Sequence, residues 1–310
     1  MPVLPTAARR VASPLRIAFR GAPHPADAST AHVDVPWLAG AATEEIFPDA
    51  SAVDAAHDVR LFRAGGLLLG HAREPFVATE LAARTEALYR RVFAACRGRH
   101  LFRIWNYVPH INAATAGLEH YRAFCLGRSL AFEADLGGKF QPHLPAASAV
   151  GSEGSHLELI FAAGEAVPHH FENPEQIPAY FYPSEHGPRA PSFARATVGR
   201  DGQRTFTFIS GTSSIKGHQT VAPGRLEEQV DCTLDNLRLV SRAVGLGADL
   251  GADHAGRRHF KIYLRHAADL APARARLEGS LLRPADSVTY LQAEICRAAL
   301  LVEIEATLVT

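Results

Sequence analysis

The stretch LLVEIEA, residues 300–306, lies near the C-terminal end of the chain and carries the clearest indication of both fold and chemistry. Its alternating pattern predicts a β-strand with Glu303 and Glu305 on one face and Val302 and Ile304 on the other. Ionised glutamate is rarely buried without a partner, so we expect the two carboxylates to line a surface or a cleft rather than the core. A half-exposed edge strand with solvated glutamates is the alternative for this segment.

The composition is that of an ordinary globular protein. The chain has 310 residues, of which 47% are hydrophobic and 21% are charged, and this length predicts two domains with a sizeable core. Its 32 basic residues balance 32 acidic ones, so the overall charge does not predict nucleic-acid or membrane binding. No window has the length of a membrane span, and we expect a soluble, cytoplasmic protein.

The spacing of cysteines and histidines does not predict a metal site. The cysteines show no CxxC pair, which argues against zinc, gives no disulfide framework and fits reduced thiols in a cytosol. These residues are Cys96, Cys125, Cys232 and Cys296. His169 and His170 lie in a proline-flanked loop without carboxylates at helical spacing, so we favour a solvated loop there over a metal site.

The chain repeats one order of elements. In the C-terminal half we predict strand, helix, strand, helix and a hairpin-like pair of strands at residues 205–209, 226–244, 259–264, 270–282, 287–295 and 300–308. In the first half the corresponding segments are residues 63–70, 78–95, 101–108, 118–132, 147–150 and 155–161. Matching order, lengths and glycine stops indicate a duplicated domain, and two unrelated α+β domains are the alternative.

The segment between the two halves is rich in proline and aromatic residues. Residues 164–191 cannot hold regular structure for long, so we predict a linker there. Its many tyrosines and phenylalanines indicate that it packs against the second domain. We therefore expect an N-terminal domain at residues 1–165, with a poorly matched leader at 1–60, and a C-terminal domain at 166–310 that includes the linker at 166–191.

The C-terminal half resembles the reactive-intermediate deaminase (YjgF/UK114) family. The matching features are ISGT at residues 209–212, LDNL at 234–237, the strand at 260–264 and the closing VEIEA at 302–306. The resemblance implies an α+β fold of two similar units, each a mixed β-sheet packed by helices on one face. This fold is shared with the trimeric chorismate mutases, and its ligand sites lie in clefts between adjacent units.

From about residue 60 to the end, the chain resembles the chorismatases, a family built from two such units. The resemblance rests on WNYVPHIN at residues 105–112, YRAFCLGR at 121–128, YP at 182–183, PSFARA at 191–196, ISGTSSI at 209–215 and AEICR at 293–297. It implies cleavage of the enolpyruvyl ether of chorismate into pyruvate and either a hydroxybenzoate or 3,4-dihydroxycyclohexa-1,5-diene carboxylate. Because two units share one chain, their interface would replace a subunit interface, so we expect a monomer.

Breaking an enol ether requires a proton at its methylene carbon. A carboxylic acid held protonated by partial burial suits that step. The resemblance implies that Glu303 is this acid, and Glu305 is the other candidate. Cys296, seven residues before Glu303, is expected to share the pocket as a second catalytic residue. The resemblance implies that the turn at residues 209–211 and the cysteine position decide which nucleophile captures the intermediate. On that basis Cys296 and the bulky Ile209 favour the aromatic product, 3-hydroxybenzoate with 4-hydroxybenzoate as a further possibility.

The two carboxylates of chorismate call for fixed cations, and the arginine fork meets a carboxylate through two hydrogen bonds. Arg195 is the first candidate, because its segment matches a loop that faces the ligand, and Arg265 is the second. The further expected substrate-binding residues are Tyr182, Tyr180, Gly211, Ser213 and Thr212.

We expect catalysis without a cofactor or a metal, because the sequence has no nucleotide-binding, flavin-binding or pyridoxal-type motif. Imine deamination is the main rival activity, but the deaminases are single units that trimerise. Their arginine some fifteen residues before the glutamate has no counterpart at residues 288–290. Metabolite binding without catalysis is the third possibility.

Overall fold

The computed structural model describes residues 15–23, 29–202, 204–251 and 256–310. The strands are β1 (Arg16–Arg20), β2 (Thr30–Gly40), β3 (Thr43–Glu44), β4 (Ser51–Ala56), β5 (Val59–Ala64), β6 (Leu67–Pro75), β7 (His100–Pro109), β8 (Ala114–Thr115), β9 (Leu118–Glu119), β10 (Ala146–Ser152), β11 (His156–Gly164), β12 (His169–Phe171), β13 (Ala196–Asp201), β14 (Arg204–Ser213), β15 (Ile215–Lys216), β16 (Gln219–Thr220), β17 (Arg257–Leu264), β18 (Ser287–Gln292) and β19 (Val302–Val309). The α-helices are α1 (Leu81–Ala95), α2 (His120–Leu136), α3 (Leu226–Ala243) and α4 (Leu270–Glu278).

Two units with the same topology make up the molecule. The first unit is a six-stranded sheet in the order β4-β5-β6-β11-β7-β10, and the second contains β12-β13-β14-β19-β17-β18 in the same order and orientations. Helices α1 and α2 occupy the same places in the first unit as α3 and α4 in the second. The predicted α+β fold of two similar units is therefore confirmed.

Each sheet carries its helices on one face and turns its other face toward the opposite unit. Helix α3 shows why: Val230, Leu234 and Leu237 recur at helical spacing and pack on the apolar side of β19. Its first turn carries Glu227 and Glu228, whose charge suits the positive end of the helix dipole.

The faces turned away from the helices form a central core between the two units. Trp105 of the first sheet meets Phe208 of the second with ring centroids 6.2 Å apart in an edge contact. Burial of large side chains such as these stabilises the fold by roughly 1.5–3 kcal/mol each. The two units therefore share one hydrophobic interior.

The predicted hairpin of residues 287–295 and 300–308 is wrong. Strand β17 lies between β18 and β19, parallel to β18 and antiparallel to β19. The physical reason is the helix α4, which supplies the crossover that a parallel pair such as β17 and β18 requires. The last strand then pairs on the free side of β17, in the middle of the sheet.

The N-terminal strands extend the second sheet. Strand β2 pairs with β18, and β1 and β3 follow it, so the sheet has nine strands. Phe19 and Val33 from these strands enter the central core and face both units. Strands β1, β2 and β3 thus lie in the sheet of the second unit, although the expected division groups them with the first. The boundary near residue 165 stays a prediction, and leader residues 1–14 lie outside the described residues.

The segment between the units contacts both of them. Strand β12 forms the edge of the second sheet, whereas Tyr180 packs on the helix-side core of the first unit. Arg189 donates to Glu133 of α2 at 3.0 Å. The segment therefore packs against the second unit, as expected from the sequence, and it also contacts the first unit, so that it spans the cleft between them. No helix in the described part of the chain is long and apolar enough to cross a membrane.

Candidate active site

A cavity of about 390 Å³ opens where the two units and the intervening segment meet. The first unit contributes residues around the start of α2, and the second contributes β14, β19 and the loop between β18 and β19. Residues that line it include Tyr121, Arg122, Tyr182, Arg195, Cys296 and Glu303. The cavity therefore needs both units of one chain.

Glu303 forms part of the inner wall of this cavity. Its neighbours on β19, Val302 and Ile304, are buried under the helices, so alternation turns the glutamate toward the opposite unit. The residue is 3% exposed; its Oε2 accepts a hydrogen bond from Ser213 Oγ at 3.4 Å, and its Oε1 has no partner among the described residues. One carboxylate oxygen is thus free to face a ligand.

The surroundings of Glu303 keep its side chain protonated at neutral pH. Burial, and then the negative charge of Glu305, raise its pKa from 4.5 to about 8, whereas the hydrogen bond from Ser213 acts in the opposite direction. A neutral carboxylic acid at the wall of a cavity is suited to giving up a proton.

Gly211 is required by the position of this carboxyl group. A Cβ atom at residue 211 would lie 2.0 Å from Glu303 Oε1, which is far inside van der Waals contact. The ladder between β14 and β19 is also irregular between Ile209 and Thr212, as in a β-bulge. The glycine and the irregularity together make room for the acid.

Glu305 has a different environment, although it lies on the same face of β19. It is 2% exposed in the central interior, where Lys261 Nζ lies 2.9 Å from its Oε1 and Arg103 Nη2 donates to its Oε2 at 2.7 Å. Burial would raise its pKa, but the two cations outweigh burial and hold the pKa below the ordinary value. The expectation that both carboxylates line a cleft is therefore wrong for Glu305, which is a buried, paired anion.

Arg195 and Tyr182 are brought together in the cavity wall. Arg195 Nη2 donates to Tyr182 Oη at 2.8 Å, and the guanidinium lies 5.0 Å from the centre of the Phe193 ring. Glu172 Oε2 is 3.9 Å from Arg195 Nε, and burial raises the pKa of Glu172 to about 7 although Arg195 opposes the rise. With a pKa of about 7, Glu172 is only partly ionised at neutral pH, so it compensates the charge of Arg195 in part and leaves capacity for an anionic ligand.

Arg265, the second predicted cation, does not line the cavity. It donates to the carbonyls of Leu300 and Arg297 at 2.7 and 2.9 Å and to Asn112 Oδ1 at 3.0 Å. Its donors thus fix the loop before β19 against the first unit. The sequence placed Arg265 at a strand end but could not show that backbone carbonyls would take its hydrogen bonds.

Some of the remaining predicted residues line the cavity and others do not. Gly211, Ser213 and Cys296 line the cavity. Thr212 points to the other face of β14 and donates to the Ser210 carbonyl at 2.9 Å, and Tyr180 lies on the first unit against the Phe181 ring. The structure therefore does not bring Thr212 and Tyr180 into the cavity wall.

Cys296 carries a neutral thiol. Burial, and then the nearby Glu303, raise its pKa to about 12. A thiol in this state is a small, weakly polar filler beside the acid rather than a nucleophile.

Several lining residues escaped sequence reasoning. Arg297 lies with its guanidinium 5.3 Å from the Tyr182 ring centre and donates to the His218 carbonyl at 2.8 Å. Arg122 and Tyr121 come from the start of α2. Both groups fall inside the AEICR and YRAFCLGR stretches, so the signal was present, but no periodicity distinguishes a cavity-lining arginine from one on the surface.

Three described residues at the cavity mouth could act as metal ligands. His186 Nε2 and His218 Nδ1 lie 2.9 Å apart, and Glu185 Oε1 is 3.5 Å from each of these atoms. Burial, and then the charge of Arg297, lower the pKa of His186. That same charge opposes a divalent cation, so the geometry favours a hydrogen-bonded histidine pair that ties residues 184–186 to the loop between β15 and β16. His169 and His170 are not part of this group. The solvated loop predicted for them is wrong, because they lie in β12, where His170 Nδ1 hydrogen-bonds Thr197 Oγ1 at 3.0 Å.

The first unit contains a closed counterpart of the acid. Glu158 lies opposite Tyr107 on β7 just as Glu303 lies opposite Tyr263 on β17. His71, which stands where Gly211 stands in the second unit, hydrogen-bonds the Glu158 carboxylate. One histidine side chain therefore fills the space that a glycine leaves open at Glu303.

The chain is similar to known proteins in both sequence and fold. The profile of the family described as "Chorismatase FkbO/Hyg5-like, N-terminal" matches residues 46–163. A 3-hydroxybenzoate synthase of Streptomyces hygroscopicus is 40% identical over 66% of the chain, and the chain spans 62% of that relative. A chorismatase of Streptomyces rapamycinicus is 38% identical over 81% of the chain and 77% of its own length. A crystal structure of a chorismatase matches with a TM-score of 0.80 at 30% identity, covering 97% of this chain and 95% of that one.

Proposed function

The chain belongs to the chorismatase family, and from this membership we propose that it cleaves the enolpyruvyl ether of chorismate to pyruvate and a hydroxybenzoate. The observation that carries the proposal is the buried carboxyl of Glu303, which has one free oxygen and lies in a cavity between the two units. The names of the relatives indicate the substrate, and the residues of the cavity indicate how its ether bond would be broken.

The first chemical step is a proton transfer from Glu303. The proton forms a C–H bond at the methylene carbon of the enol ether, the double-bond electrons are used in that bond, and the ether carbon becomes an oxocarbenium ion. Addition of water to that carbon gives a hemiketal, and its collapse breaks the ether C–O bond to leave pyruvate and the dihydroxydiene. Addition of the neighbouring ring hydroxyl, with loss of its proton, instead gives a cyclic ketal. Pyruvate then leaves with the hydroxyl oxygen, as the bond from the ketal carbon to the ether oxygen and the bond from the ring carbon to the hydroxyl oxygen break, and loss of a ring C–H proton makes the remaining ring a hydroxybenzoate. Glu303 becomes a carboxylate beside the developing cation and stabilises it.

The cations of the cavity suit a dianionic substrate. Arg195, supported by Tyr182, and Arg297 both line the cavity, and the chief acid of the wall is neutral at pH 7. Arginine binds a carboxylate through two parallel hydrogen bonds. The binding of chorismate by these residues is part of the proposal.

The product we propose is 3-hydroxybenzoate. Cys296 fills space beside Glu303 and leaves less room for water at the cation, which favours capture by the substrate itself. Ile209, the other residue used in the sequence argument, is buried on the helix side of the second sheet, so it does not support this product. A relative named 3-hydroxybenzoate synthase does support it. The alternative products are 4-hydroxybenzoate and the dihydroxydiene, and finding either one instead would contradict 3-hydroxybenzoate as the product.

We also propose that one chain is the working unit and that it acts in the cytoplasm. Both walls of the cavity come from the same chain, so a partner subunit is not needed to complete it. The four cysteines are free thiols, a state that suits a reducing compartment.

The test is incubation of the purified chain with chorismate, with pyruvate measured by an enzymatic assay and ring products by chromatography. We expect pyruvate and 3-hydroxybenzoate from the wild type and from Glu294→Gln, which changes an exposed glutamate in the same part of the chain. We expect neither product from Glu303→Gln. Pyruvate with a different ring product would keep the activity but contradict 3-hydroxybenzoate as the product. Chorismate that stays unconverted would contradict the activity and favour imine deamination or binding alone.

A further inference from the structure

A separate cavity of about 580 Å³ lies on the first unit, away from the candidate active site. The last turns of α1 and α2 line it together with residues 142–143 and the start of the segment between the units. None of its lining residues lines the active-site cavity. Helix α2 reaches the active site with Tyr121 and this cavity with Phe132, so roughly 16 Å of helix separates the two. A volume of this size is within the range of small-molecule sites.

Aromatic and aliphatic side chains form much of the wall. Phe93 and Phe132 both line the cavity, with their ring centroids 5.0 Å apart. Four large hydrophobic side chains are exposed in the described part of the chain, and two of them, Leu136 and Val167, line this cavity. Exposed apolar side chains grouped around a concave surface indicate a binding site, and aromatic rings in its wall suit a flat ring.

His170 places a hydrogen-bond donor in this apolar lining. The Ala146 N–H donates to Thr197 Oγ1 at 2.7 Å, so the Thr197 hydroxyl is free to donate to His170 Nδ1, which is 3.0 Å away. Burial, and then the nearby His143, lower the pKa of His170 to about 4, so its ring is neutral at pH 7. A neutral ring whose Nδ1 accepts carries its proton on Nε2. Among the described residues Nε2 has no hydrogen-bond partner, so its N–H is available to an acceptor on a ligand.

The fixed charges of the lining balance one another. Arg99 donates to Glu165 Oε1 at 2.8 Å and to the Gly66 carbonyl at 2.6 Å, so its charge is already compensated. Arg97 and Asp135 are the remaining arginine and carboxylate of the lining, and their charges are opposite. The C-terminal ends of α1 and α2 add partial negative charge. The lining therefore favours an uncharged ligand over an anion.

We propose that this cavity is a second binding site, which takes an uncharged, planar aromatic molecule that carries a hydrogen-bond acceptor. Its ring lies against Phe93 and Phe132, its acceptor receives the Nε2–H of His170, and Leu136 and Val167 cover its outer side. The site does not depend on the proposed function, because it shares no lining residue with the active-site cavity.

Equilibrium dialysis of the purified chain against 2-naphthamide, a neutral two-ring amide, tests the site. We expect one molecule to bind per chain. In Leu136→Glu/Val167→Glu charged side chains replace the apolar cover, so binding should weaken by at least about 10-fold. Ile177→Glu/Phe181→Glu is the matched control and should bind like the wild type, because it changes the other two exposed hydrophobic side chains, neither of which lines this cavity.

Two variants of His170 test the hydrogen bond to the ligand. His170→Leu removes the donor, so binding should weaken on the order of 10-fold. His170→Gln keeps an amide N–H close to the position of Nε2 and should bind 2-naphthamide within about threefold of the wild type.

Three results would overturn the proposal. The first is a lack of saturable binding to the wild type, and the second is unchanged binding in Leu136→Glu/Val167→Glu, which would place the probe elsewhere. The third is equal weakening in both double variants, which would mean that the probe senses surface apolarity rather than this cavity. Equal binding by His170→Leu and the wild type would contradict the requirement for an acceptor on the ligand.

Discussion

At the scale of single residues, two glutamates on one strand have opposite protonation states. Among the described residues, the Glu303 carboxyl has a hydrogen bond from Ser213 alone and faces a cavity, so burial keeps it neutral. Glu305 instead contacts Lys261 and Arg103, which keep it charged. The charge on Glu305 in turn helps to raise the pKa of Glu303. The ionised glutamate thus serves to hold its neighbour in the acid form.

This difference predicts that loss of the acid stabilises the protein at high pH. The folded-state pKa of Glu303, about 8, exceeds the ordinary value of 4.5, so folding favours the protonated form. Its contribution to the free energy of unfolding is complete below about pH 4.5 and is lost as the pH rises through about 8. The glutamine of Glu303→Gln does not titrate, so the melting temperature of this variant should match that of the wild type at about pH 5 and exceed it at about pH 9. At about pH 9 the free energy of unfolding of the variant should be larger by an amount on the order of a few kcal/mol.

Thermal unfolding across this pH range measures the effect. Glu294→Gln, at an exposed position, should show no such divergence from the wild type. A stability difference between Glu303→Gln and wild type that stays constant with pH would mean that Glu303 does not titrate in this range.

The residue pattern predicted the position of both glutamates but not their partners. Alternation placed Glu303 and Glu305 on one face of a strand, and the resemblance assigned the acid to Glu303. Arg103 lies 202 residues from Glu305 in sequence, and no local pattern can show that such a pair will meet. For the same reason the sequence could not show that Arg265 hydrogen-bonds the carbonyls of Leu300 and Arg297 rather than lining the cavity.

At the scale of elements, β14 and β19 build the acid site by departing from a regular ladder. The pairing shifts between Ile209 and Thr212, and Gly211 lies at that point with the Glu303 carboxyl where its side chain would be. A strand glycine often marks a bulge or a close approach of this kind.

Gly211→Ala is therefore expected to displace the acid. Its Cβ would lie 2.0 Å from Glu303 Oε1, so the carboxyl must move, and kcat should fall by roughly 100-fold. The comparison is Gly138→Ala, because Gly138 has open space around it. Steady-state kinetics with chorismate measure both variants, and equal kcat values for Gly211→Ala and wild type would show that the acid does not need this glycine.

The order of elements could be read from the sequence, but their pairing could not be read completely. The strand and helix segments agree with the structure to within a few residues, because periodicity is a local property. The hairpin of the last two strands was wrong, because the insertion of β17 between β18 and β19 is a long-range choice set by the crossover through α4.

At the scale of the whole molecule, two equivalent units give one open site. His71 closes the position in the first unit, and Gly211 opens it in the second. Strands β1–β3 add a further wall to the central core, where Glu44 meets Lys261. The duplication was visible in the sequence, but the role of the leader was not, because its strands match nothing else in the chain.

One ion cluster in the central core joins the first unit, the second unit and the N-terminal strands β1–β3. Lys261 of the second unit lies 2.5 Å from Glu44 Oε2 of β3 and 2.9 Å from Glu305 Oε1, and Arg103 of the first unit completes the group. Breaking a buried pair by removing one partner leaves an uncompensated charge.

Lys261→Met should accordingly lower the free energy of unfolding by about 3–5 kcal/mol, measured by chemical denaturation. Lys216→Met is the comparison, because Lys216 pairs with Glu175 at 2.5 Å on the surface and should contribute less than about 1 kcal/mol. Similar losses in the two variants would contradict the view that the cluster joins the units.

The pH dependence of kcat/KM for chorismate is the measurement on which the role of Glu303 depends. Only the protonated form can donate, so the wild-type rate should be constant below the pKa of about 8 and fall tenfold per pH unit above it. Glu303→Gln should be at least about 100-fold slower and lack this inflection. A wild-type rate that does not fall between about pH 8 and 10, or a Glu303→Gln variant that keeps the wild-type rate, would show that Glu303 is not the proton donor.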